Sequence, residues 1–568
     1  MGVLSLVEDR PTPKAVYNWR VWACAGVASF ASCMIGYDSA FIGTTIALDS
    51  FQDEFGFPQI SESEANLITS NIVSVYQAGA FFGALFAYVS AHWLGRKWSL
   101  IAWSVLFQLG AGIMLASNEN RGLGPIYAGR VIAGLAVGAT SNITPIYISE
   151  ISPPAVRGRL VGVYEVGWQV GGLIGFWINY GLVQTMPPSH KQWIIPFAVQ
   201  LIPGGLLLIG AFWLRETPRW LMQKNRREEA LKNLSWIRNL PQDHIYMVEE
   251  ISYIDGSLEE QAAAIGIGFW KPFKAVANNR LVQWRFILGS MLFLWQNGSG
   301  INAINYYSPT VFRSLGVDGD TTFLMTGIFG VVKTVITFGW LFFLIDNLGR
   351  RKLLMIGAAG GSACMWIIGG YLNANPVTDG GSVNNLSGGG IAAIFFFYLW
   401  TAFYIPSWNG TSSYLIPYYP RALLTTPNEL RGEMFPQSVR ALGQAIAAAS
   451  NWFWNFIIAR FTPQMFSNMG PSGCGVYYFF ASMMILSIVW VWFLMPETKG
   501  IPLESMDRLF QVRPARKAHK QIHAEDEIRE QEFRHDAEGA ELSVAKGKLD
   551  HFEQRSASEQ ASDSGNQA

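Results

Sequence analysis

Apolar stretches of membrane-crossing length recur along the chain, at roughly 22–44, 69–89, 98–116, 125–148, 160–182, 193–214, 285–312, 321–345, 353–373, 391–411, 437–461 and 474–495. A helix rises about 1.5 Å per residue, so some 20 such residues cross the ~30 Å hydrocarbon layer of a bilayer. The pattern predicts an all-α membrane protein with twelve transmembrane helices, spans 1 to 12. A polar stretch at 215–284 divides them six and six, and its own pattern predicts short helices in a linker. The expected organisation is therefore an N-terminal segment 1–21, a six-helix half 22–214, the linker 215–284, a second half 285–495 and a tail 496–568. The tail is rich in Glu, Gln, Lys, Ser and Ala, a composition expected to stay mostly disordered, with a fluctuating helix around 524–542.

Half of the residues are hydrophobic and only 14% are charged, against about 25% in soluble proteins, which supports the membrane class. The net charge is zero, so only its distribution informs. Segment 45–68 holds acids but no Lys or Arg, whereas "GRK" (95–97), "RGR" (157–159), the linker and "GRRK" (349–352) crowd the alternate loops. By the positive-inside rule both termini and the linker of this multi-pass chain are expected to be cytoplasmic. Cys24, Cys33, Cys364 and Cys474 lie in or beside apolar segments with no paired spacing and read as packing residues. No hydrolase, nucleotide-binding or nucleic-acid motif occurs, so neither enzyme activity nor a metal or cofactor is expected. Asn385 in "NNLSG" is an acceptor sequence for glycosylation in an outside loop.

The two halves echo each other. "WLGRKW" follows span 2 as "NLGRRK" follows span 8; "EISPPAVR" follows span 4 as "EMFPQSVR" precedes span 11; "RETPR" follows span 6 as "PETKG" follows span 12. This is an internal duplication, and repeats of this kind bind a substrate between the halves near the midplane and rock about it.

Charges inside the spans point to chemistry. Lys333 is the central residue of the segment 321–345, roughly 15 Å from either end, too deep for its stem to reach a headgroup. A charge there costs on the order of 3 kcal/mol, so Lys333 must face a cavity. Asp38 lies about 24 Å along span 1 and Arg130 about 8 Å along span 4, which runs the other way, so the two sit at matching depth. An Asp beside an Arg stays ionised, and protonating it would release the Arg; such a pair serves proton coupling or is a fixed structural bond.

Taken together, "GRK", "DNLGRRK", "RETPR", "PETKG" and "QNGSGINAINYY", in this order over about residues 20–500, resemble the sugar porter family of the major facilitator superfamily. "EDRPTPKAVYNWR" and "SCMIGYDSAFIGTT" look more narrowly like the fungal quinate permeases. The resemblance implies two pseudo-symmetric six-helix halves, a place in the plasma membrane, no cofactor, and a proton gradient as driving force, since symporters of the family have an Asp at the place of Asp38. It places substrate-binding amides at Gln296, Asn297 and Asn302 and, from "SNWFWNF", at Asn451 and Asn455, with the indole of Trp452 beside them. Tyr306 and Tyr307 resemble the pair that closes the outer gate. Two positions depart from the neutral-sugar pattern: Glu165 stands where Gln is common, and Lys333 where Asn is. A substrate carboxylate would partner Lys333, and quinate is a polyhydroxylated ring with one carboxylate; alternatively Lys333 and Glu165 pair with each other and the cavity takes a neutral sugar. Glu165 is also a second candidate proton carrier. The matched motifs further imply a cytoplasmic gate of ion pairs from Arg96, Glu150, Arg157 and Glu216 in the first half and Asp346, Arg350, Glu433, Arg440 and Glu497 in the second.

One segment breaks the pattern. "SSYLIPYYPRALLTTPNELRG" (412–432) makes this stretch some fifteen residues longer than the family pattern and reads as retained or misassigned intron sequence, the alternative being an unusual gate. The expected function is import of quinate or a related polyol acid by proton symport. The alternatives are a proton-coupled hexose or pentose transporter and a nutrient sensor that does not transport.

Overall fold

The computed structural model describes residues 12–266, 268–317, 319–339, 349–376, 387–409, 439–498, 508–512, 514–515, 517–526 and 528. The first half comprises span 1 (Trp19–Ile46), span 2 (Glu62–Trp93), span 3 (Gly95–Met114), span 4 (Gly124–Ile151), span 5 (Arg157–Thr185) and span 6, made of His190–Val199 and Leu201–Trp213. The second comprises span 7 (Arg280–Gly298 and Ile301–Ser314), span 8 (Asp320–Gly339), span 9 (Arg350–Ala374), span 10 (Gly388–Tyr404), span 11 (Arg440–Asn468) and span 12 (Cys474–Leu494). This is the twelve-helix major facilitator architecture. Spans 3, 5, 7 and 11 are absent from the helices that qualify as membrane-crossing on length and hydropathy alone.

Bilayer-facing surfaces identify themselves by exposed apolar bulk. Phe82, Phe86, Ile209, Phe395 and Phe493 are all more than half exposed, an arrangement tolerable in lipid and not in water. Inside each half, small residues let backbones approach: a Cβ on Gly138 of span 4 would lie 1.9 Å from Ala80 O of span 2. Without a hydrophobic drive between helices in lipid, such close packing holds the bundle together.

Between the halves run the linker helices Pro218–Gln223, Arg227–Arg238, Ile245–Ile265 and Lys271–Asn278. Arg238 anchors them. Its guanidinium is 1% exposed, binds Glu250 at 2.6 and 2.9 Å, and donates to Ile151 O at 2.7 Å, capping the last turn of span 4. In the tail, residues 517–526 are helical and bury Ala518 and Ile522 against Leu509. The sequence-based expectations for Asp346, Glu433, Asn385 and the segment 412–432 fall outside the described residues.

Candidate functional site

Span 7 is broken in its middle. Gly300 adopts φ +91°, a region that residues with a Cβ avoid, and the chain restarts as a second helix at Ile301. Span 10 ends in a wide turn, Ile405–Asn409, because Pro406 cannot donate to the helix ladder. Together these irregularities open a cavity of about 180 Å³ between the halves.

Amides dominate its second-half wall. Gln296, Asn302, Asn451, Trp452 and Asn455, named above from the motifs, line it. Asn297 does not line it. It is 1% exposed and stands behind the wall, where its Nδ2 donates to Phe293 O at 2.9 Å and to Asn451 Oδ1 at 3.1 Å while its Oδ1 accepts from Asn302. It therefore orients two lining amides rather than presenting its own. Gln296 Nε2 is held by Trp408 O at 3.1 Å, and Asn455 Nδ2 donates to Tyr306 Oη at 3.2 Å. Across the cavity, Trp452 Nε1 reaches Ser141 Oγ of span 4 at 3.3 Å.

Sequence reasoning missed Asn305, Tyr404, Asn409 and Gln444, which also line the cavity. Two of these were legible. Gln444 precedes Asn451 by seven residues and Asn305 follows Asn302 by three, spacings that share one helix face.

Both ionisable departures face this space. Lys333 of span 8 is 7% exposed and lines the cavity with Glu165 of span 5. The two are in electrostatic reach of each other, and Gln169 Nε2 donates to Glu165 Oε1 at 2.9 Å. No ion pair within 4.0 Å joins Lys333 to Glu165 among the described residues, and none of those residues hydrogen-bonds to Lys333 Nζ.

Asp38 and Arg130 meet as their depths require. Arg130 Nη1 lies 2.9 and 3.1 Å from the two carboxylate oxygens, and both side chains are fully buried. Arg130 Nε donates to Ile72 O at 3.1 Å, and the guanidinium stacks 4.3 Å over the Tyr76 ring. The pair is one layer behind the cavity: Ser39 lines it, and Tyr306 lies in the field of Asp38.

Beyond the cavity, on the side away from the termini, the halves are latched together. Tyr306 and Tyr307 are buried, and Tyr307 Oη donates to Ala459 O at 2.6 Å. Asn66 Nδ2 donates to Ser467 Oγ at 2.7 Å, Ser467 Oγ to Glu62 Oε1 at 2.9 Å, and Arg460 Nη1 to Ser70 Oγ at 3.0 Å, tying span 2 to span 11. Gln184 Nε2 donates to Asp320 Oδ2 at 3.1 Å, tying span 5 to span 8. This end of the molecule is closed.

At the termini side the duplicated motifs form matched caps. The Glu216 carboxylate accepts the Arg96 and Lys97 backbone N–H groups at 2.9 and 3.0 Å; the Glu497 carboxylate accepts those of Arg350 and Arg351 at 2.9 and 3.1 Å. Each acid thus satisfies the orphan donors at the start of the helix that follows the matched loop and complements its dipole. Burial pushes the Glu216 carboxyl above the usual carboxylate range, against the pull of the Thr217 N–H and the Arg96 guanidinium. Arg96 pairs with Glu150 at 2.7 Å. The structure does not bring Arg157 to that pair: it contacts Ser152 O at 3.4 Å and lies in the field of Arg238 and Glu250 on the linker.

The profile of the family described as "Sugar (and other) transporter" matches residues 24–510. The chain belongs to this sugar transporter family. It is 63% identical over 540 residues to a protein of Neosartorya fischeri named "Probable quinate permease" (95% of this chain, 96% of that one). Another of that name, from Aspergillus niger, is 61% identical over 554 residues (97% and 99%). Among solved structures it resembles the proton:xylose symporter XylE bound to 6-bromo-6-deoxy-D-glucose (TM-score 0.68, 25% identity, 87% of this chain and 99% of that one). The inward-open conformation of XylE from E. coli is similar at a TM-score of 0.67 and 26% identity (86% and 99%).

Two predictions for this transporter arise from its ends. A Cβ on Gly43 of span 1 would lie 1.8 Å from Tyr306 O, so even alanine obstructs closure of the latched end. Overpacking of this kind costs about 1–3 kcal/mol. Gly43→Ala is expected to slow uptake roughly tenfold and to raise thiol labelling of a cysteine placed at Ser39 from the far side. Unchanged labelling would show that the contact yields. Glu216→Gln turns one accepting oxygen of the cap into a donor and leaves a backbone N–H unsatisfied, which costs about 1–3 kcal/mol, so it is expected to lower the melting midpoint of the purified protein, with Glu497→Gln acting in the same direction.

Proposed function

We propose that this transporter imports quinate, or a related polyhydroxylated carboxylate, across the plasma membrane by proton symport with both termini cytoplasmic. One observation carries the reading: a cavity walled by amides, hydroxyls and aromatic rings has Lys333 lining it. The amides suit ring hydroxyls, and the ammonium suits one carboxylate through a charge-assisted hydrogen bond. The names of the fungal relatives support the same substrate.

Proton coupling would run through Asp38. A proton arriving there removes the charged partner of Arg130, weakening the bond that holds span 1 to span 4. Tyr306 lies between this pair and the cavity, hydrogen-bonded to the substrate-facing Asn455, and links occupancy to the pair. The XylE resemblance supports a proton-driven cycle of alternating access. Substrate would enter with the far end open, and the latch of spans 1 with 7, 2 with 11 and 5 with 8 would then close over it.

A second reading has support of its own. Glu165 lies in electrostatic reach of Lys333, so the two could neutralise each other around an uncharged monosaccharide. A sensor that does not transport is a third. Uptake of labelled quinate and of glucose in transporter-deficient yeast, with and without a protonophore, separates all three. Quinate uptake abolished by the protonophore is the expected result. Glucose uptake blind to quinate would select the second reading, and binding without uptake the third.

A further inference from the structure

The tail helix 517–526 has two chemically distinct faces. On one, Arg508 pairs with Glu525 at 3.1 Å and with Asp526 at 2.5 Å, Gln521 Nε2 also reaches Glu525 at 3.1 Å, and Ala518 and Ile522 are buried against Leu509. The helix acids at 525 and 526 are thereby engaged. On the other, Lys517 and Lys520 are exposed and have no carboxylate within ion-pair distance among the described residues.

Those two lysines line a concavity with Gln521, Arg351 of span 9 and Trp492 of span 12. Arg351 is fixed there: its Nη2 donates to Trp492 O at 2.7 Å and its guanidinium lies 5.2 Å over the Trp492 ring. Trp492 is 45% exposed and the adjacent Phe493 63%, and span 12 ends at Leu494, so this indole sits at the last turn of a span with its apolar flank toward lipid. Tryptophan at that level marks the boundary between acyl chains and headgroups.

We propose that Arg351, Lys517 and Lys520 form a site for the phosphate-bearing headgroup of an anionic phospholipid in the leaflet on the termini side, with Trp492 against its glycerol and upper acyl chain. Three cations converge on one hollow at headgroup depth, where basic residues just beyond a span attract anionic lipid. A soluble phosphate would use the cations alone; the apolar face of Trp492 beside them suits an amphiphile. The site is separate from the substrate cavity, and the inference does not depend on which substrate is carried.

The test uses the purified full-length chain in mixed micelles, with retained lipid counted by native mass spectrometry and thermal stability followed in parallel. Phosphatidylserine is the probe; phosphatidylcholine and inorganic phosphate are the controls. Phosphatidylserine should be retained and should raise the melting midpoint, and neither control should. The double variant Lys517→Ala with Lys520→Ala removes two exposed side chains, so it should fold. It is expected to bind phosphatidylserine about tenfold or more weakly, whereas Lys517→Arg with Lys520→Arg should keep binding. Equal retention of phosphatidylcholine, equal stabilisation by inorganic phosphate, or undiminished binding by the alanine variant would each overturn the proposal.

Discussion

Lys333→Asn is expected to lower quinate uptake about a hundredfold while leaving the amount of protein at the cell surface unchanged. A hydrogen bond to a charged group contributes about 1.5–3 kcal/mol, and each 1.4 kcal/mol is a factor of ten. Folding should not suffer, because the substitution takes a charge out of a membrane-buried position rather than placing one there. The loss should be selective: a neutral polyol or hexose has no carboxylate to lose, so its uptake should hold or rise. The competing arrangement, in which Lys333 serves only Glu165, makes a different forecast. Lys333→Asn would then strand a carboxylate in the cavity and depress every substrate, and adding Glu165→Gln would restore them together. The double-mutant cycle over these two positions therefore distinguishes a substrate receptor from an internal partner.

Asp38→Asn is expected to abolish accumulation of substrate against its gradient while exchange of substrate across the membrane continues. The carboxylate is the group that can take up and release a proton, and an amide cannot. The substitution also strips Arg130 of its charged partner, held at 2.9 and 3.1 Å inside a fully buried site. Breaking one side of such a pair costs about 3–5 kcal/mol, so some loss of protein is expected from structure alone. Counterflow assays, normalised to surface protein, separate the two effects. Exchange that persists without a response to external pH supports a coupling role. Full retention of protonophore-sensitive accumulation would reduce the pair to a structural bond and move the coupling role to Glu165.

Part of the candidate site is legible in the order of residues. Glu165, Gln296, Asn302, Lys333, Asn451, Trp452 and Asn455 all reach one cavity because motif spacing and helical period place them on compatible faces. Asn297 escapes that logic. A helix that carries amides on adjacent positions cannot point both into the same space, and only the partners Phe293 O and Asn451 Oδ1 show which one turns away. Arg157 likewise reads as a partner of the gate acids, and only the structure shows it at Ser152 O and in the field of the linker residues Arg238 and Glu250. Glu216 and Glu497 read as gate charges; only the structure shows that they also cap the helices of spans 3 and 9.

The number of spans, the duplication, the depth at which Asp38 meets Arg130 and the need for Lys333 to face polar space all follow from the residues read in order. They rest on quantities that accumulate along one dimension: rise per residue, apolar run length and the cost of a charge at a given depth. Packing in three dimensions settles the rest: which amides line the cavity and which brace it, that the far end is latched shut, and that the tail brings Lys517 and Lys520 to Arg351. Those outcomes depend on which faces of separate helices meet, and a helix polar on several sides does not specify its neighbour until the whole bundle is packed.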